Sequence, residues 1–139
     1  MIRNNYAKNT VTLMLVIAVL ALFLRLGIEQ SIKVNISQNE SNASVALKSI
    51  STALQNYAED HGQIFPQALA VLMQTDPPYL DKDYHHRTSI AGYNFSCSRL
   101  DASGYSCSAT PIKCNSTGRE IYIITTGGVM VSDLCAKKE

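Results

Sequence analysis

From Leu13 to Leu24 every residue is apolar, and this run constrains the chain more than any other feature. With Val11 and Thr12 before it and Leu26 to Ile28 after it, the stretch covers 18 positions interrupted by Arg25. As a helix it rises about 27 Å, enough for a membrane core once Arg25 snorkels to the interface. The same core also fits a secretory signal, with Arg3 and Lys8 as its basic flank. Cleavage separates the two readings. After Leu24 the chain reads RLGIEQSIKVNIS, with no pair of small residues spaced for signal peptidase; the first cysteine is Cys97, which excludes a lipobox, and no twin arginine occurs. The expectation is a retained anchor carried by Val11, Leu13, Val16, Leu20, Phe23 and Ile28. Arg3 and Lys8, in a short tail, place the N-terminus in the cytoplasm. Residues 1–10 then read as a cytoplasmic tail, 11–28 as a single transmembrane segment in the inner (cytoplasmic) membrane, and 29–139 as a periplasmic or extracellular domain.

Outside the span roughly 100 residues remain, enough for one small core. The whole chain carries 12 basic and 11 acidic residues, a net charge of +1, which leaves no electrostatic footprint for nucleic acid. All four cysteines, Cys97, Cys107, Cys114 and Cys135, lie beyond the span. An even count there points to an oxidising compartment and paired disulfides. Free thiols and thiolate metal ligation are the alternatives, and no C-x-x-C spacing favours the second.

Ala43, Ala46, Leu47, Ile50, Ala53, Leu54 and Tyr57 recur at helical spacing, with Lys48, Ser51, Gln55 and Asn56 around the stripe. Traced backward, the period reaches Ile36, Ile32 and Ile28 without a proline, so one long helix is expected from about Lys8 to Asp60, stopped at Gly62. FPQALAVLMQTDPPYL then predicts a short helix opened by Pro66 and closed before Pro77. Beyond it the period becomes two. Tyr93, Phe95 and Cys97 share one strand face, as do Tyr105, Cys107 and Ala109, with turn chemistry between them; REIYIIT and GVMVS form a second hairpin through Thr126, Gly127 and Gly128. The fold class is α+β, a long N-terminal helix on a small four-stranded antiparallel sheet. A hairpin centred near Ala102 sets Cys97 opposite Cys107, leaving Cys114 for Cys135; a Cys107 to Cys135 bond is the alternative.

No catalytic or cofactor constellation emerges. His85 and His86, with Asp81, Asp83 and His61, lack ligand spacing and read as solvated loop. Asp81, Asp83 and Asp101 form no dense calcium loop. Serines are abundant, yet there is no nucleophile elbow or Ser/His/Asp order, so an enzyme, such as a tethered hydrolase, is not expected. Sequons at Asn35, Asn39, Asn42, Asn94 and Asn115 would matter in a eukaryotic secretory protein and otherwise follow from composition. Tyr57, Tyr93 and Tyr105 run in phase with apolar neighbours and read as core or its rim.

The order of parts resembles the type IV pilin family, and within it the pseudopilins of type II secretion. ASVALKSISTALQNYAEDHG resembles the family's helix with its closing Tyr-Ala-Glu-x-x-Gly, FPQALAVL its Tyr-Pro-x-x-Leu-x-x-Leu, and YLDKD the segment leading to its sheet. AGYNFSCS, GYSCSATP and GREIYIITTGGVMVS resemble its strands and final hairpin, so that residues 39 to 132 are covered. The resemblance implies a prokaryotic, pilin-like structural protein contributing to or associating with a type IV pilus or type II secretion apparatus. Its partners would be the lipid bilayer and other pilin-like subunits or secretion-machinery proteins. The family's processing start, Gly before Phe-Thr-Leu-x-Glu, is matched only at Thr12 and Leu13; Thr10 stands for the Gly, Val11 for the Phe and Leu15 for the Glu. In the family that carboxylate seats a subunit by pairing with a neighbour's amine, an arrangement worthwhile only when both charges are present. Their joint loss puts the alternative beside the first reading: the same domain tethered but not polymerised, binding a partner or secreted protein.

Overall fold

The computed structural model describes residues 3–84 and 89–135, and the chain divides into two compact units, residues 1–34 and 35–139. Helix α1 (Arg3–Asp60) begins earlier than the periodicity suggests and ends where it suggests. Its end is closed by glycine chemistry. Gly62 adopts φ +67°, a conformation open to a residue without a Cβ, and Gln63 N–H reaches back to Ala58 O at 2.7 Å.

In the first unit the apolar side chains of α1 are exposed on every side of the helix, from Val11 and Leu13 through Phe23 to Ile28. A helix apolar all round and left uncovered by protein is long and apolar enough to cross a membrane.

The second unit holds the core. Ile36, Ala43, Ala46, Leu47, Ile50, Ala53, Leu54 and Ala58 form the buried stripe of α1. Ala43, Ala46, Leu47, Ile50, Ala53 and Leu54 of it pack with Tyr93, Tyr105, Cys107, Ala109 and Ile124 of a four-stranded antiparallel sheet in the order β1 (Tyr93–Asp101), β2 (Gly104–Pro111), β3 (Glu120–Thr125) and β4 (Val129–Leu134). The layout is α+β. Alternation does the sorting: Tyr93, Phe95 and Cys97 of β1 oppose Pro111, Ala109 and Cys107 of β2 on the core face, while Ser96 and Ser108 meet on the outer one.

The short helix differs from expectation. Only Val71–Gln74 form α2, five residues after Pro66. Phe65 N–H is bonded to Ala102 O in the β1–β2 turn, which holds the chain off helical geometry there, and Pro66 and Leu69 turn into the core before a helix can start. Leu72 then fills the space under it, its carbonyl taking the N–H groups of Tyr79 and Leu80.

Candidate functional site

Among the described residues no group of three or more His, Cys, Asp or Glu side chains is gathered as metal ligands. His85 and His86 lie outside the described residues. Asp81 and Asp83 line an open groove of about 520 Å³ with Met73, Lys82 and Ile90. His61 is stacked on Tyr57, ring centroids 3.9 Å apart. Asp101 is engaged in a turn. It takes Arg99 Nε at 2.8 Å and the backbone N–H of Ser103 at 2.8 Å, and these bonds hold its carboxyl well below the usual carboxylate range.

What the chain does present is the anchor segment and a domain braced in three places. Val11, Leu13, Val16, Leu20, Phe23 and Ile28, the expected anchor residues, are 50 to 66% exposed. Leu15 is 62% exposed. Thr10, Val11, Thr12, Leu13 and Leu15 all lie within α1.

The first brace is polar and lies inside the helix–sheet seam. Ser51 is buried at 4% exposure, with its hydroxyl 2.6 Å from the Tyr105 hydroxyl, which also receives Gln55 Nε2 at 3.3 Å. Sequence periodicity sets Ser51 and Gln55 around the stripe; the structure puts them in the seam. A buried phenol needs a partner, and the helix supplies two.

The second brace ties the segment between β2 and β3 to α1. Asn39 Nδ2 donates to Thr117 O at 2.9 Å, and Arg119 N–H donates to Glu40 Oε1 at 2.8 Å. Of the five sequon asparagines, Asn39 is thus half-buried and used in packing. Gly118 passes directly against the Tyr93 ring, where any Cβ would overlap the phenol; the ring's hydroxyl continues past it to Glu120 O at 2.9 Å. Burial, then the nearby Glu40 and Glu120 carboxylates, push the Tyr93 phenol up to about 12, and burial raises Tyr122 as well.

The third brace is covalent. Cys97 is bonded to Cys107 and Cys114 to Cys135, the pairs that the hairpin register predicts, and no cysteine is free. Ile112 N–H to Gly92 O and Thr126 N–H to Tyr105 O fix the ladder parity, which makes Cys97 and Cys107 a non-hydrogen-bonded pair, Cα atoms 3.9 Å apart. The register then skips Ser98, the residue after this bond, in a bulge. Cys114 and Cys135 flank the β3–β4 hairpin and close it as one loop.

Asn39, Glu40, Ser51 and Gln55 had only a weak signal in the sequence: polar residues one step from a buried stripe on a helix whose sheet carries tyrosines. No protein-family model, curated protein or solved structure matches this chain.

Proposed function

We propose that this chain is a membrane-anchored, pilin-like structural protein that contributes to or associates with a type IV pilus or a type II secretion apparatus, and that it catalyses nothing. The observation that carries the reading is α1, a single helix holding both an apolar span, Val11 to Ile28, and the stripe Ala43 to Leu54 that packs on a four-stranded antiparallel sheet. The span belongs to the cytoplasmic (inner) membrane, with residues 1–10 in the cytoplasm. The sheet belongs to the periplasmic or extracellular side, where its cysteines oxidise.

One observation favours a second reading, in which the same domain is tethered without polymerising and binds a partner or secreted protein. Thr10 and Leu15 supply neither the glycine nor the carboxylate of the family start, so a neighbour's charged amine finds no counterion at position 15.

A photo-cross-linking residue at Leu20 of the full chain, in its native membranes, tests both. The chain is expected to stay with the membrane through alkaline carbonate washing and to cross-link the helical span of a pilin-like subunit or secretion-machinery protein. Cross-links to lipid alone, with a protein captured only from sheet positions, favour the tethered binding module. Release by carbonate overturns both readings.

A further inference from the structure

Composition does not account for the five sequons. Ser and Thr fill 20 of the 105 positions from Asn35 to Glu139, so of the six asparagines there about one would have a hydroxyl residue two positions on by chance; five do, none with proline between. Asn4, Asn5 and Asn9, which precede the span, have none. The motif is confined to the side of the span that holds the disulfides.

The fold brings the five together. Asn35, Asn39 and Asn42 share one face at the start of the part of α1 that belongs to the second unit. Asn39 Nδ2 donates to Thr117 O, two residues after Asn115, and lies against Gly92, two residues before Asn94, so closely that a Cβ there would stand 3.1 Å from it. Asn115 is exposed in the turn between β2 and β3 at φ +62°, a left-handed conformation that asparagine tolerates, with its N–H on Gly118 O. Asn94 is exposed on the outer face of the edge strand β1, on the same side as Ser96. Asn56, the asparagine of this unit without the motif, sits near the other end of α1.

We propose that Asn35, Asn42, Asn94 and Asn115 carry N-linked glycans, a collar of sugar around the end of the second unit at which α1 enters it, and that Asn39 stays bare. The inference rests on the extracytoplasmic placement proposed above, where a membrane transferase meets a glycan carried on a lipid phosphate. In the transfer the asparagine Nδ2 bonds to the anomeric carbon as that carbon's bond to the phosphate oxygen breaks. The lipid phosphate leaves with the bonding pair, and one Nδ2 proton passes to a transferase carboxylate. Asparagine and the hydroxyl residue two positions on are read together, whereas on a helix such positions point to different sides, so the segment from Asn35 to Ser44 is taken up before the fold closes. The closed fold then decides which glycans are kept. Asn35, Asn42, Asn94 and Asn115 are exposed and leave room for a bulky hydrophilic group. Asn39 has no such room: a glycan on its Nδ2 displaces Thr117 and Gly92 and opens the second brace. On Asn94 the glycan also covers the β1 edge, adding to the bulge that discourages pairing there.

Peptide mapping by mass spectrometry of the full chain, purified from its native membranes with free thiols alkylated first, tests this. The expected result is paired cysteines and one glycan mass on each of Asn35, Asn42, Asn94 and Asn115, located by fragmentation, with Asn39 unmodified. Ser96→Ala is expected to remove the glycan at Asn94, and Ser96→Thr, which keeps the hydroxyl, to retain it; neither alters the asparagine. Bare asparagines with paired cysteines overturn the proposal and leave the extracytoplasmic placement standing. Bare asparagines with free thiols overturn both. The proposal also falls if the disulfide-bonded chain carries a glycan on Asn39, if the sugar is attached to serine or threonine oxygens in place of the asparagines, or if the glycan at Asn94 survives Ser96→Ala.

Discussion

Tyr93 is fully buried, donates to Glu120 O and blocks any side chain at position 118, so its phenol must stay neutral for the β2–β3 segment to close over it. Its folded-state pKa of about 12 stands above the ordinary value of 10.0 because burial, and then the Glu40 and Glu120 carboxylates, oppose the phenolate. The sign of the linkage follows. Below pH 10 neither folded nor unfolded Tyr93 is ionised, and its contribution to stability is complete; between pH 10 and about 12 the unfolded chain loses the proton while the folded one keeps it, and stability falls. Denaturant midpoints measured from pH 8 to 12 are expected to hold steady and then drop. Tyr93→Phe, which removes the group, is expected to make the drop shallower. An equally steep decline in that variant sinks the assignment to Tyr93.

Among the elements, those set by a period were legible in the sequence and those set by a distant partner were not. The helical stripe from Ile36 to Ala58 and the alternation in β1 to β4 are one-dimensional patterns, and the hairpin register that sets Cys97 against Cys107 follows from one short turn. Ser51 is buried because Tyr105, 54 positions away, brings a hydroxyl to it, and no local pattern carries that information. For the same reason the helix after Pro66 is shorter than its sequence suggests: the bond from Phe65 N–H to Ala102 O is made across the fold. Cys114–Cys135 closes a 21-residue separation around β3 and β4. The bond stabilises by about 3 kcal/mol through the entropy of the unfolded chain, and it is the covalent tie holding the end of β4, the strand with the largest exposed share of its residues. Replacing both cysteines by serine is expected to lower the unfolding free energy by about that amount. The exchange of β4 amides should rise more than that of β2, whose Cys97–Cys107 bond is retained. Uniform loosening of all four strands is the outcome that counts against a local brace.

For the molecule as a whole, the two units need opposite solvents. From Val11 to Ile28 the helix exposes apolar side chains all round, whereas among the described residues every buried side chain of the hydrophobic core lies within residues 35–139, as do both disulfides. A chain starting at Asn35 therefore keeps the buried stripe of α1, the sheet and both disulfides. Its Asn35–Asp60 helix is longer than the roughly 12–15 residues below which isolated helices are marginal, and it is further held by its buried stripe. The cut adds one local cost, a positive amine placed at a helix N-terminus, which acetylation removes. The fragment is expected to stay in aqueous solution, form Cys97–Cys107 and Cys114–Cys135, and unfold in one cooperative transition, while the full chain needs detergent or bilayer to remain dispersed. Disulfide mapping and thermal unfolding of the acetylated fragment check this. Scrambled pairing or a non-cooperative melt means that residues before Asn35 contribute to the core, and a full chain that stays soluble and monomeric without detergent removes the physical basis for an anchor.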